Sequence, residues 1–431
     1  MPEQSTTLPA PVPVRIRPGP GRIGPFRLPQ LILVELAAAL VLIGSAADRI
    51  ALTGCGVLAV ALVALALPRW NGLSAAEQLQ ARAQLRSRLR RTADHPVDPG
   101  TDPALVPVLE CEPALRTVQH TVEREGRPAR ARGERREIGM IGDGTFLTAV
   151  LRVEAPDEPL RPLRGSRSLP LPLLAAGLRV DDIVLDAVQV VQYTQPSPAP
   201  HLPEQSLAAR GYRELPDGTR TPGLRLTWIA VRLDPELCLR AVAARGGGET
   251  GARRALQRAA DQLAVRLAGA GLRATVLDRA GLTSAVATAV CANPLAAGGA
   301  ARPGRRTSET VRAWRCDDRW HTTYWVGRWP GLTPSGGPDG SAAAVSAPDL
   351  VNLLSGTSAL GTSFSLTVRQ EPDGAVALTG QVRLTARGES ELEQAARRLE
   401  LRAGGAGAAR VRLEHEQVPG VLATLPLGGT R

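Results

Sequence analysis

The sequence predicts a membrane-anchored α/β protein, with an N-terminal two-helix transmembrane hairpin followed by a mixed α/β domain in the cytoplasm. Three observations predict it. Leu31 to Ala47 and Ile50 to Leu67 are nearly uninterrupted apolar runs separated by Asp48 and Arg49. Arginines crowd the outer flank of each run. Beyond residue 96, segments of strand and helix periodicity alternate between proline- and glycine-rich loops.

Residues 1–27 read as a disordered basic arm and 28–68 as the hairpin. A helix rises 1.5 Å per residue and needs about 20 apolar residues to cross a hydrocarbon core, so each run with its flanks is long enough. A cleaved signal peptide would carry a single run ending in small residues, not a second run and an arginine-rich continuation. Arg15, Arg17, Arg22 and Arg27 precede the first run, while Arg69, Arg82, Arg86, Arg88, Arg90 and Arg91 follow the second. Short basic flanks resist translocation, which keeps both termini in the cytoplasm and makes the protein a two-pass protein of the cell membrane. Glu35 lies inside the first run, where an ionised carboxylate is costly, and is expected to face protein between helices. Gly54 and Gly56 would permit close helix contact.

Residues 69–95 read as an arginine-rich helix leaving the membrane. Arg82, Arg86 and Arg90 recur at four-residue spacing, with Leu85 and Leu89 on a neighbouring stripe, and suit anionic lipid headgroups or a partner. The net charge is +11 and all 52 basic residues are arginine, because the chain contains no lysine. Walker-type phosphate loops, Schiff-base enzymes and protein kinases each need a lysine ammonium and are disfavoured. Aromatic residues make up 3% of the chain, too few for stacking against nucleic acid, so no nucleic-acid partner is expected.

Residues 96–431 form the cytoplasmic domain, with room for two subdomains divided near 292–307. Loops are expected at Thr92 to Pro107, Gln195 to Pro203, Ala292 to Arg306 and Pro330 to Pro348. Gly142, Asp143 and Gly144 make a turn before a strand from Thr145 to Val153. Val188 to Tyr193 is β-branched and suits a strand, as does Leu224 to Val231. The run Arg245 to Gly248 leads into a helix from Thr250 to Ala268, in which Leu256, Ala260, Leu263 and Leu267 share one face. Leu272 to Leu277 follows as a strand, giving a strand, helix and strand alternation typical of α/β layering. Thr322 to Pro330 is an aromatic-rich core strand. Phe364 to Val368 and Val376 to Leu384 flank Glu371, Pro372, Asp373 and Gly374 as a hairpin. A helix from Glu389 to Arg402, supported by a Glu393 to Arg397 pair, and a strand from Ala409 to Leu413 follow.

Chemistry-bearing constellations are sparse. The five cysteines, Cys55, Cys111, Cys238, Cys291 and Cys316, form no CxxC pair and read as small apolar residues. Cys316, Asp317, Asp318 and His321 are a local ligand cluster whose spacing fits no zinc pattern. Arg245 to Gly248 could cradle a phosphate at a helix start, but it matches neither GxGxxG nor GxxxxGK[ST]. No nucleophile elbow is present, and no catalytic residue, metal or cofactor is assigned. The rival class is a membrane-tethered, glycosyltransferase-like enzyme at the cytoplasmic face. For it only Asp181-Asp182 and Asp317-Asp318 approach a DxD pair, without the intervening residue. A lipid-sensing regulator with the arginine helix as input is a third class.

The order of these features resembles the EccE component of actinobacterial type VII (ESX) secretion systems. The resemblance rests on the basic arm with its hairpin and the Asp143-Gly144 turn. It rests further on Thr227-Trp228-Ile229-Ala230-Val231-Arg232-Leu233-Asp234-Pro235 leading to Arg245-Gly246-Gly247-Gly248, and on Tyr324-Trp325-Val326 ahead of Trp329-Pro330. It implies a noncatalytic subunit of the inner-membrane secretion complex beside EccB, EccC and EccD, with EccC supplying ATP hydrolysis. No catalytic residue carries over.

Overall fold

A computed structural model describes residues 14–16, 22–23, 26–46, 49–66, 69–70, 73–93, 97–98, 100–122, 136–155, 169–197, 205–207, 210–211, 223–293, 304–327, 329, 346–371 and 375–429. Thirteen strands join in one sheet. In chain order they are β1 (Val14–Ile16), β2 (Arg116–Val122), β3 (Arg136–Gly142), β4 (Leu147–Glu154), β5 (Ala187–Gln195), β6 (Leu224–Leu233) and β7 (Arg273–Val276). The second set is β8 (Thr307–Glu309), β9 (Trp314–Cys316), β10 (Arg319–Val326), β11 (Gly361–Gln370), β12 (Val376–Ala386) and β13 (Arg410–Arg412).

The sheet runs β8-β9-β10-β12-β11-β5-β6-β4-β3-β2, with β1, β7 and β13 attached to β12, β4 and β10. Every pairing is antiparallel except that of β1 with β12. Read from either end, the order visits the same succession of elements. A three-strand meander leads to a hairpin, then a long helix, then a short strand and a terminal helix. The long helices are α4 (Gly248–Gly269) and α7 (Glu389–Gly405), the terminal ones are α5 (Arg279–Val290) and α8 (Gln417–Ala423), and α6 (Ala347–Ser355) precedes β11. The two halves meet where β5 pairs with β11, from Val188 opposite Val368 to Thr194 opposite Thr362.

The layered α/β expectation holds, on an antiparallel sheet. Strands β6 and β7 are joined through α4 as the alternation predicted, yet both lie antiparallel to β4, which stands between them. The crossover skips a strand. The same holds for β12, α7 and β13 around β10. The fold is a mixed α/β domain on a large antiparallel sheet.

Alternating side chains divide between two faces. Val188, Val190, Ile229, Val231, Phe364, Leu366, Val382 and Leu384 point to a core closed by α4 through Ala255, Leu256, Ala259 and Leu263, and by α7 through Leu392, Ala395 and Leu399. The other face places Val150, Val191, Tyr193 and Trp228 against α5 and α8. Its central strands also carry Gln189, Ser363, Ser365, Gln381, Arg383 and Thr385, all buried. The aromatic strand is core, as expected: Tyr324 and Trp329 are both buried. Trp329 lies edge-on to Phe364 and fits only because residue 380 is glycine, since a Cβ there would meet Trp329 Cζ2 at 2.1 Å.

The N-terminal apolar runs form helices α1 (Leu28–Ser45) and α2 (Arg49–Ala66), packed together as a hairpin. Among the described residues, however, no helix is long and apolar enough to cross a membrane. The expected pair of spans is therefore not supported by the described structure. Two sets of positions singled out from the sequence lie outside the contact between these helices. Glu35 is exposed on the outside of the hairpin, and among the described residues Ala37, Gly44 and Ala59 are the buried ones of the pair. Gly54 and Gly56 do not make the contact, since a Cβ at either would meet nothing within 4 Å. Outward apolar side chains include Leu42, Ile43, Val57 and Val60.

Candidate functional site

Helix α3 (Ala75–Ala93) follows the hairpin and fastens it to the edge of the sheet, while β1, ahead of the hairpin, pairs with β12. Its inward positions repeat as Ala81, Leu85, Arg88 and Thr92, a spacing that keeps one helical face against the domain. Arg88 makes the specific contact. Its Nε and Nη2 donate to the two carboxylate oxygens of Glu309 at 3.3 and 3.1 Å, and Nη2 also donates to the His415 carbonyl. The Glu309 side chain is 3% exposed and that of Arg88 19%. Glu309 in addition accepts the Val418 N–H at 2.9 Å in the first turn of α8, where exposed backbone donors favour a carboxylate. One buried anion thus ties the strand β8, the helix α8 and the helix α3.

The arginines singled out from the sequence lie elsewhere on α3. Arg82, Arg86 and Arg90 are exposed, and Arg88, on the inward face of the helix, takes the structural contact. The two leucines also separate: Leu85 is buried and Leu89 is exposed. The periodicity of Ala81, Leu85, Arg88 and Thr92 was the available signal. It passes unnoticed because two of its four positions are polar.

A second cluster closes the polar face of the sheet with the C-terminal segment. Gln189 donates to Ser365 Oγ and the Ala423 carbonyl, both at 2.8 Å, and its Oε1 accepts the N–H groups of Gly428 and Gly429 at 2.8 and 3.0 Å. Arg232 donates to the Gly429 carbonyl at 2.7 Å, and Thr148 to that of Leu427 at 3.0 Å. Arg383, fully buried, donates to Ser363 Oγ at 3.1 Å and to the carbonyls of Ala289 and Val290. Those carbonyls end α5, where the helix dipole is negative and suits a buried cation. Burial lowers Arg383 to about 10, which leaves it protonated at neutral pH. His321 is fully buried, with Nδ1 3.0 Å from Thr385 Oγ1, and burial, Arg383 and Arg319 hold it well below its ordinary value.

The weighed chemical constellations do not converge. Asp181 is paired with Arg258 and Asp182 with Arg245, both at the surface. Asp317 is held by Arg306 at 2.8 Å, and Asp318 lies beside Arg319. His321 belongs to the buried face instead. Among the described residues no group of three or more His, Cys, Asp and Glu side chains could hold a metal ion. The five cysteines are free. Gly246, Gly247 and Gly248 all have positive φ, at 107°, 69° and 53°, so the glycine run is accounted for by the backbone path from a short helix (Leu239–Ala244) into α4. The expected Glu393 to Arg397 pair is replaced by Glu393 with Arg412 at 2.8 Å.

Residues 221–326 match the family model described as "Putative type VII ESX secretion system translocon, EccE". Over this segment the chain is similar to EccE. The matched segment runs from β6 through α4, β7 and α5 to β10. It contains three of the quoted stretches, Thr227 to Pro235, Arg245 to Gly248 and Tyr324 to Val326, together with Glu309. The hairpin, the Asp143-Gly144 turn and Trp329 lie outside it. No curated protein matches the chain.

Proposed function

We propose that this chain is a noncatalytic structural subunit of a type VII protein secretion complex in the cytoplasmic membrane. The observation that carries the reading is the EccE match over 221–326, joined to an N-terminal hairpin whose outward side chains include Leu42, Ile43, Val57 and Val60. In water such side chains would leave a large apolar surface uncovered, and lipid or neighbouring helices would cover it. On this reading the hairpin crosses the membrane twice, both termini lie in the cytoplasm, and the sheet domain binds neighbouring subunits. The EccE resemblance names these as EccB, EccC and EccD. The Arg88–Glu309 contact would keep the domain in fixed register with its anchor, which is what a scaffold requires.

Affinity purification of the tagged full-length chain from mild-detergent membranes of its native host, with mass spectrometry of the co-purifying proteins, tests the reading. Recovery of an ATPase and other membrane subunits in stable ratios, lost when the sheet domain is deleted, is the expected result. Recovery of the chain alone would refute it. The rival glycosyltransferase reading predicts binding of a sugar nucleotide to the purified chain, and the pairing of Asp181 and Asp182 with arginines counts against it.

A further inference from the structure

We infer that helix α3 is a two-faced strap whose outer face lies on an anionic lipid surface, an inference that rests on the membrane placement proposed above. At 100° per residue, Leu79, Arg82, Arg86, Leu89 and Arg90 fall within one sector of about 100°, centred away from the inner face of Ala81, Leu85, Arg88 and Thr92. Arg82, Arg86 and Arg90 are exposed, and so are Leu79 at 54% and Leu89 at 43%. Interleaved cations and leucines on one face suit a phosphate layer over acyl chains. Guanidinium groups can extend into the phosphate layer while the leucines reach the apolar boundary beneath it.

Two further observations favour lipid over an acidic protein. Ala75 follows the end of the apolar hairpin, Ala66, by nine residues, a tether of at most about 32 Å, so the helix cannot leave the vicinity of the membrane. The inner face is already taken by the protein's own domain through Arg88 and Glu309, so the outer face is the one presented outward. The strap therefore sets the orientation of the domain on the bilayer: the edge strand β8 is fastened to a helix that lies flat on the headgroups.

The test uses the full-length chain in nanodiscs of zwitterionic phosphatidylcholine alone or mixed with anionic phosphatidylglycerol. Arginines are modified with phenylglyoxal and followed by mass spectrometry, with Arg397, exposed on α7, as internal reference. Arg82, Arg86 and Arg90 should react about five-fold more slowly or slower still in anionic discs, and high salt should erase the difference while Arg397 is unchanged. The double variant Leu79→Gln, Leu89→Gln should lose most of that protection. Equal rates in both discs, with the chain co-eluting with them, would overturn the strap and leave the membrane placement standing. A chain that elutes free of discs would refute that placement and this inference with it.

Discussion

Removing the Arg88 side chain should loosen helix α3 from the sheet without unfolding the sheet. Arg88→Ala deletes two hydrogen bonds to the Glu309 carboxylate and one to the His415 carbonyl. Hydrogen bonds to charged groups contribute about 1.5–3 kcal/mol, and breaking a buried pair costs about 3–5 kcal/mol because one charge is stranded. Here Arg88 is partly exposed and Glu309 keeps the Val418 N–H, so about 2–3 kcal/mol is the reasonable figure. The remaining hold is mainly Leu85, whose burial is worth about 2 kcal/mol. Loss of the arginine therefore removes about half the attachment. Amide exchange over residues 79–93 of the full-length chain should accelerate about 30- to 150-fold, while β5 and β11 keep their protection. Glu309→Ala should be worse than Arg88→Ala, since it strands both the guanidinium and the Val418 N–H. Unchanged exchange in both variants would refute the assignment of Arg88 and Glu309 as the fastening.

Other consequences are open to direct measurement. Gly380→Val should lower the thermal midpoint, at a cost of about 1–3 kcal/mol or more, because its side chain must displace the Trp329 indole; a midpoint within a degree of the parent would contradict that packing. Gln189→Leu leaves the N–H groups of Gly428 and Gly429 without their acceptor and should cost about 2–5 kcal/mol, seen first as faster carboxypeptidase trimming of the C-terminal segment. Stability should fall below about pH 6.5, because His321 resists protonation in the folded chain while the unfolded chain takes up a proton at its ordinary value. Its contribution is fully present above that pH and is lost as pH falls towards the depressed folded value, by about 1.4 kcal/mol per unit. Denaturation of His321→Gln at pH 7.5 and 5.5 should show a smaller drop than the parent.

Elements governed by apolar periodicity were legible. Helix α4 declared itself through Leu256, Ala260, Leu263 and Leu267, and the hairpin of β11 and β12 through alternation around Phe364 and Leu384. Strands β2 and β3 were not, because Arg116 to Val122 and Arg136 to Gly142 mix charged residues and glycine with few apolar ones. The polar sheet face was hidden for a related reason. Gln189, Ser363, Ser365 and Arg383 look like solvent-facing positions of alternating strands, and their partners come from the folded C-terminal segment, from the end of α5 and from one another. At the candidate site, the arginine helix was visible but its working residue was not. Spacing of four selected Arg82, Arg86 and Arg90, whereas contact with an edge strand more than 200 residues away selected Arg88.

The mirrored strand order also fixes a length. Ten strands lie side by side from β8 to β2, and at about 4.8 Å per step the outer edge stands about 43 Å from the edge held by Arg88, less whatever the twist takes back. A small tilt of the helix at the fastened end is magnified across that span. A rotation of ten degrees moves strand β2 by about 7 Å, more than the width of one strand. The sheet is thus a lever arm, borne at its edge by one buried carboxylate and at β12 by the short strand β1.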